Sequence, residues 1–342
     1  MVSIKASAMN IEDFPDRLLA GQRLMAGFEG PGFNDDLRYL IETLNVAGIV
    51  LFSQNLEGPE EIRRMCAAAQ ACAADCGLPP LFIAIDQEGG PVARLKPPLA
   101  QFPGNPAIVD EPGAEAFGRD AAADLVRVGV NMNFAPVVDV AALTLDSIMR
   151  GRSFVGGPEV VARLGGRVIE SLQANGVMAV AKHFPGLGRT TADSHLDRPE
   201  LDADPAEMAA TDLVPFRAAI DRDVAGIMLS HVLYSGWDRA WPAGLSITIA
   251  RELLREKMGF SGVVMTDDLD MGAIVRHYDM ETVIRRVVRA DVDLAMVCHR
   301  GPARQAAADA LLALIRSDQA ARRASLVAVE RVLRLKRKYL NF

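Results

Sequence analysis

Two aspartates in the sequence stand where a buried apolar run ends, a position suited to holding a reactive carboxylate. Asp267 follows Val-Val-Met-Thr, and Asp86 follows Leu-Phe-Ile-Ala-Ile. Three further apolar runs end on polar side chains, at Ser53, at Lys182 with His183, and at Ser230 with His231. Side chains at the ends of strands can be aimed at one ligand, so we expect several of these residues to share a site.

A second candidate is the segment KHFPGLGRTTADSH, residues 182–195, which holds two of the five histidines. Its proline and glycines predict a loop. Within it, Asp193 and His195 form an Asp-x-His pair. The carboxylate can hold one ring nitrogen of the histidine and leave the other free for proton transfer. An ordinary exposed loop is the alternative interpretation.

We expect the aspartates beside Asp267 to have a different role. We expect Asp268 and Asp270 to cap the next helix or to bind a cation, and Asp267 to be reactive because of its position at the strand end. The close histidine spacings typical of zinc sites are absent from the sequence, whereas a magnesium site needs only one or two carboxylates and stays open. A Walker loop and a G-x-S-x-G elbow are also absent, and we predict no metal and no cofactor.

Arginines near two of these positions add donors that suit a small polar ligand. Arg94 closes the segment IDQEGGPVAR, and Arg150 and Arg152 lie in MRGRSFVG. Singly, each arginine is more often part of a salt bridge or a turn. Together with Asp86 they would place acceptors and fork-shaped donors around one ligand such as a sugar.

Short apolar runs followed by helical patterns recur along the chain. We predict strands at 22–28, 47–53, 81–86, 130–135, 177–183, 225–231, 262–267 and 292–297. Because these runs are continuous rather than alternating, they are typical of parallel strands buried on both faces. Helices are predicted in the segments 58–77, 157–176, 204–222 and 246–259, and an amphipathic helix with a solvated basic face at about 318–340. Eight strand–helix repeats predict an α/β fold, a single-domain (β/α)8 TIM-type barrel over residues 1–342, with an open doubly wound sheet as the alternative.

Composition limits the class of protein. The 342 residues carry a net charge of -7 with 50% hydrophobic residues, which argues against nucleic-acid binding and against general disorder. The sequence shows neither a signal-peptide pattern nor an apolar run long enough to cross a membrane. The four cysteines, Cys66, Cys72, Cys76 and Cys298, are expected to be reduced and mostly buried. We therefore expect a cytoplasmic protein without a membrane partner.

Six motifs in chain order resemble glycoside hydrolase family 3. They are IDQEGG at 85–90, NFAPVVDV at 133–140, GRSFVG at 151–156, KHFPG at 182–186, DSH at 193–195 and TDDLDM at 266–271. The combination is most similar to the single-domain bacterial β-N-acetylglucosaminidases of cell-wall recycling.

The resemblance implies a (β/α)8 barrel and retaining hydrolysis through a covalent glycosyl-enzyme. It implies that Asp267 is the nucleophile and that His195, paired with Asp193, is the acid/base. The residues implied to hold the terminal N-acetylglucosamine are Asp86, Arg94, Arg152, Lys182 and His183. The implied substrate is a small glycoside of the N-acetylglucosaminyl-anhydromuramyl peptide type, acted on by a monomer.

The chain departs from the family pattern at three positions. Leu187 and Arg189 replace a histidine and an aspartate of Pro-Gly-His-Gly-Asp-Thr, and Pro91 replaces an arginine. One hypothesis is that Arg189 meets an anionic group of the leaving group. The sequence is also compatible with four alternatives to the hexosaminidase: a β-glucosidase, a phosphate-dependent phosphorylase, a sugar-binding homologue without activity, and a metal-dependent barrel hydrolase.

Overall fold

The computed structural model describes residues 11–141, 147–190, 198–340 and 342. Eight parallel strands within these residues close into a barrel, in which each strand pairs with the next along the chain and the last pairs with the first. They are β1 (Leu24–Gly27), β2 (Gly48–Leu51), β3 (Phe82–Ile85), β4 (Met132–Asn133), β5 (Met178–Phe184), β6 (Gly226–Leu229), β7 (Val263–Asp268) and β8 (Leu294–Val297). The predicted (β/α)8 barrel is confirmed, and all eight strands lie inside or within one residue of their predicted ranges.

Helices surround the barrel. They are α1 (Asp16–Gly21), α2 (Asp35–Glu42), α3 (Pro59–Asp75), α4 (Glu111–Arg127), α5 (Pro158–Ala174), α6 (Pro205–Ala210), α7 (Leu213–Asp221), α8 (Ile247–Lys257), α9 (Gly272–Val275), α10 (Met280–Arg289), α11 (Pro302–Ser317) and α12 (Gln319–Leu340). Of these, α8 has the wider π-helical winding. In the part of the chain that the structure describes, none of these helices combines the length and the apolar character needed to cross a membrane.

The core has two layers because successive strand residues point to opposite faces. Inside the barrel, Met25, Phe82 and Met265 belong to one buried cluster. Outside, Ile49, Ile83 and Val264 belong to the cluster that packs the strands against the helices. The apolar runs are continuous because both faces of each strand are buried, as the sequence indicated.

The terminal helix α12 covers the amino-terminal end of the barrel. Val332 and Leu335 join the interior cluster, and the fully buried Lys336 donates to the side chain of Gln22 at 3.0 Å. Arg331 pairs with Asp291 and Asp293, both at 2.9 Å. The expectation that the basic face of this helix is solvated is therefore wrong at these two positions. With that end closed by α12, a ligand can enter from the opposite end.

The predicted helix at 204–222 is two helices, α6 and α7. The break falls at Thr211 and Asp212, whose side chains both accept hydrogen bonds from Arg189. The sequence holds a signal for this break that the prediction missed: Pro215 lies in the first turn of α7, and it lacks the backbone N–H that a continuous helix would need there.

Candidate active site

A cavity of about 370 Å³ lies at the carboxyl ends of the barrel strands, where the sequence predicted a polar site. Polar residues in its wall are Asp86, Arg94, Arg152, Lys182, His183, Asp267, Asp268, Asp270 and His299. The cavity thus brings together Asp267 and all five side chains that the family resemblance assigns to sugar binding. Of the other predicted positions, Ser53, Arg150, Ser230 and His231 are not among the lining residues.

Lys182 is the centre of a charged cluster in the cavity wall. It lies near the carboxyl end of β5, with only 2% of its surface exposed. Its ammonium lies 2.6 Å from Asp86 Oδ1 and 2.7 Å from Glu88 Oε1. A buried cation is tolerated here because two carboxylates surround it.

Glu88 belongs to the IDQEGG motif, and the sequence assigns it no role. It is 3% exposed and accepts two hydrogen bonds from Arg152, at 2.9 Å from Nε and 2.7 Å from Nη2. This bidentate contact fixes the plane of the Arg152 guanidinium. A signal was available in the sequence, since Glu88 follows Asp86 by two residues beyond the strand.

The cluster keeps its charges. Burial by itself raises the pKa of Asp86, but Lys182, Arg94 and Arg152 together outweigh that effect, and the pKa of Asp86 lies below its ordinary value. Glu88 behaves in the same way, with Lys182 and Arg152 lowering its pKa against the effect of burial. For Lys182, burial lowers the pKa, but Asp86 and Glu88 have the larger combined effect, so that the pKa lies above its ordinary value. The cavity wall therefore presents fixed charges near neutral pH.

Asp267 lies near the end of β7 with its carboxylate in the cavity wall. Its Oδ1 accepts the backbone N–H of Asp268 at 2.8 Å. Among the described residues, the carboxylate forms no ion pair with a lysine or arginine. It is consequently available to a ligand in the cavity.

Asp268 and Asp270 brace the loop after β8. Asp268 Oδ1 accepts the backbone N–H groups of Cys298 and Asp270, at 3.0 and 3.1 Å. Asp270 Oδ2 accepts the backbone N–H of His299 at 3.0 Å. The expectation that they cap the next helix is wrong, because α9 has no side-chain cap.

These two aspartates and His299 also place one ligand atom each within 4.8 Å of one another, as do Glu42, Cys72 and Cys76 on the outer surface. One oxygen of each aspartate accepts a backbone N–H, and Asp268 Oδ2 lies 3.2 Å from His299 Nδ1. Contacts within the loops thus account for this cluster.

His231 contacts the backbone at the end of β7. It is 1% exposed, and its Nε2–H donates to the Asp268 carbonyl at 2.9 Å. Burial lowers its pKa, so the ring is neutral at neutral pH. This strand-end residue thus supports the backbone next to Asp267.

His183 is held by Asp139, a fully buried aspartate for which no role was predicted. Asp139 Oδ2 lies 2.8 Å from the ring Nδ1, and Oδ1 accepts the Leu187 N–H at 2.8 Å. The signal for Asp139 is a carboxylate that follows an apolar run in NFAPVVDV. A buried aspartate needs donors, and they come here from the strand end and the start of the next loop.

Arg189 does not reach the cavity, which corrects the hypothesis that it meets an anionic leaving group. Its guanidinium donates to Asp212 Oδ2 at 2.8 Å, Glu207 Oε1 at 2.7 Å and Thr211 Oγ1 at 2.9 Å. Leu187 is also buried, at 5% exposure. Leu187 and Arg189, two of the three departures from the family pattern, therefore anchor the start of the loop. The acid/base candidates Asp193 and His195 lie outside the described residues.

The comparisons agree with this geometry. The profile of the glycosyl hydrolase family 3 N-terminal domain matches residues 17–335. A beta-hexosaminidase of Pseudomonas aeruginosa is 35% identical over 280 residues, 81% of this chain and 82% of that protein. One of Alkalilimnicola ehrlichii is 33% identical, over 81% of this chain and 80% of that protein.

Solved structures give the same result. A family 3 beta-N-acetylglucosaminidase from Paenibacillus superposes with a TM-score of 0.91 at 37% identity, covering 96% of this chain. This chain spans only 63% of that protein. A beta-N-acetylhexosaminidase from Beutenbergia cavernae gives a TM-score of 0.88 at 28% identity, with 95% of this chain and 99% of that one covered. The chain belongs to glycosyl hydrolase family 3 and is a glycoside hydrolase.

Proposed function

We propose that this protein removes terminal non-reducing β-N-acetylglucosamine by retaining exo-hydrolysis. The observation that carries the proposal is the cavity in which Asp267, which has no lysine or arginine partner among the described residues, lies beside the Lys182–Asp86–Glu88–Arg152 cluster. The cavity is small and α12 covers the opposite end of the barrel, which suits binding of one terminal sugar. The names of the relatives support N-acetylhexosamine as that sugar.

In this mechanism Asp267 attacks the anomeric carbon and forms a covalent glycosyl-enzyme. His195, oriented by Asp193, donates a proton to the leaving oxygen and then takes one from water as the sugar is released. Asp86, Arg94, Arg152, Lys182 and His183 hold the sugar hydroxyl groups and the acetamido group. Fixed charges in a buried wall need little reorganisation as the transition state forms.

The natural substrate is proposed to be a peptidoglycan fragment of the N-acetylglucosaminyl-anhydromuramyl peptide type. A single catalytic domain, a monomeric state and a cytoplasmic location remain predictions from the sequence.

Chromogenic β-N-acetylglucosaminide and β-glucoside, assayed side by side with and without phosphate, test the proposal. We expect cleavage of the N-acetylglucosaminide, no dependence on phosphate, and free N-acetylglucosamine as the product. Preference for the glucoside, or a sugar 1-phosphate product, would contradict the proposal. Proton NMR of the first-formed anomer tests retention, and α-anomer formed first would exclude it.

A further inference from the structure

We propose that Asp139 is a positioning residue that fixes the tautomer of His183, so that the ring presents Nε2 to the cavity as a hydrogen-bond acceptor for a sugar hydroxyl. This inference rests on the proposed function, in which His183 contacts the bound sugar.

The carboxylate of Asp139 is buried and is surrounded by hydrogen-bond donors. It is 0% exposed, and the chain before it runs beside β5 through a parallel bridge between Val137 and Lys182. Its oxygens accept from the backbone N–H of His183 at 3.2 Å, from the His183 ring and from the Leu187 N–H. Among the described residues, no lysine or arginine forms an ion pair with it, so these N–H groups stabilise the buried charge.

The contact at Nδ1 determines which ring nitrogen carries the proton. An ionised carboxylate can only accept, so the 2.8 Å contact requires Nδ1–H. In the neutral imidazole, Nε2 then holds a lone pair. His183 lines the cavity, and within the described chain Nε2 has no hydrogen-bond partner. The cavity wall already holds cationic donors and carboxylate acceptors, and this lone pair adds an uncharged acceptor to which a sugar hydroxyl can donate.

The substitution Asp139→Asn tests this with no change in side-chain size. The Leu187 N–H can only donate, so the amide oxygen should stay on that side, where Oδ1 now lies 2.8 Å away. The amide NH2 then faces His183 Nδ1. The ring is the partner that can adapt, and it should move its proton to Nε2. The acceptor in the cavity thereby becomes a donor.

Long-range ¹H–¹⁵N NMR of the full-length protein reports the tautomer directly. We expect the Nδ1–H form in the wild type and the Nε2–H form in Asp139→Asn. The Nε2–H form in the wild type, or an unchanged tautomer in the variant, would overturn the proposal. The wild-type spectrum keeps the proposal testable even if the variant does not fold.

Kinetics supply the second readout. We expect Asp139→Asn to lower kcat/KM about 10- to 100-fold, the cost of leaving one buried hydroxyl unpaired, while Asp110→Asn at the exposed cap of α4 has no effect. In a His183→Ala background the same Asp139 substitution should change kcat/KM by less than about threefold. If Asp139→Asn lowers kcat/KM by the same factor in the His183→Ala background, Asp139 acts only through its contact with the Leu187 backbone. That result would overturn the proposal.

Monodeoxy substrates complete the test, because a substrate without the contacting hydroxyl should be insensitive to Asp139→Asn. If Asp139→Asn lowers kcat/KM for every deoxy substrate as much as for the parent substrate, His183 accepts no hydrogen bond from a sugar hydroxyl and the proposal fails. These outcomes are distinct from failure of the proposed function. The tautomer is read without ligand, and the kinetic cycle can be run on whichever glycoside the wild type cleaves.

Discussion

Replacing Glu88 with glutamine should destabilise the protein and impair catalysis, because it removes one anion from between two cations. Glu88 contacts Lys182 at 2.7 Å and Arg152 at 2.7 and 2.9 Å. Removing one partner of a buried ion pair costs about 3–5 kcal/mol. The glutamine oxygen can keep one of these contacts, so we take the lower end, about 3 kcal/mol.

This cost can be converted to a melting temperature. Unfolding entropy near 60 °C is about 2.1 cal/mol/K per residue, which for the 342 residues of the chain gives about 0.7 kcal/mol/K. A loss of about 3 kcal/mol then lowers Tm by roughly 4 °C. Calorimetry measures this shift. Because Arg152 and Lys182 lose their anchor, we also expect kcat/KM to fall by up to roughly 100-fold.

Glu170→Gln is the matched control. Glu170 also pairs with two cations, Arg167 at 3.0 Å and Arg222 at 3.1 Å, but its side chain is 41% exposed. Exposed pairs contribute about 0–1 kcal/mol, so Tm should move by about 1 °C or less. Equal shifts for Glu88→Gln and Glu170→Gln would refute the reasoning that burial makes the Glu88 contacts strong.

The pH dependence of the Glu88 effect has a defined sign. The folded-state pKa of Glu88 lies below its ordinary value of 4.5, so its charge stabilises the fold fully above about pH 4.5. This contribution is lost as pH falls through the lowered pKa. The difference in unfolding free energy between wild type and Glu88→Gln should therefore be constant from pH 6 to 8 and shrink below about pH 4.

Three further predictions concern other parts of the molecule. Arg189→Met leaves the buried Asp212 without its cation and should lower the free energy of unfolding by about 3 kcal/mol. The ratio of kcat/KM for substrates with acidic and neutral leaving groups should not change. A change in that ratio would show that Arg189 contacts the leaving group after all. Burial lowers the pKa of Lys336 well below its usual value, so wild-type stability should rise relative to Lys336→Met as pH increases from 7 to 10. A constant difference between the two proteins over that pH range would contradict the burial of an uncharged amine. In alkylation experiments followed by mass spectrometry, the exposed Cys76 should react in the folded protein. The three buried cysteines should react only after unfolding, since burial raises the thiol pKa of Cys66 to about 12, and rapid labelling of any of them in the native state would contradict this.

The barrel could be predicted from the sequence because buried strands produce a recognisable pattern of apolar residues. Both faces of each strand are covered, so the apolar runs are continuous, and polar side chains such as Asp267 and Lys182 mark the strand ends. These local patterns were sufficient to place the cavity.

The residues that sequence reasoning missed act through partners that are distant along the chain. Glu88 is 64 residues from Arg152, and Asp139 is 44 residues from His183. Likewise, the sequence around Arg189 does not show that it pairs with Asp212 and Glu207, which lie 23 and 18 residues further along the chain. Periodicity carries no information about such pairings.

Covalent trapping tests the central claim, that Asp267 is the nucleophile of a retaining N-acetylglucosaminidase. The wild-type protein should be treated with a 5-fluoro-N-acetylglucosaminyl fluoride, digested and sequenced by tandem mass spectrometry. The account predicts one added sugar on the peptide that contains Asp267, located on Asp267 itself. Label on Asp268 or Asp270, or continued turnover without any covalent adduct, would contradict it.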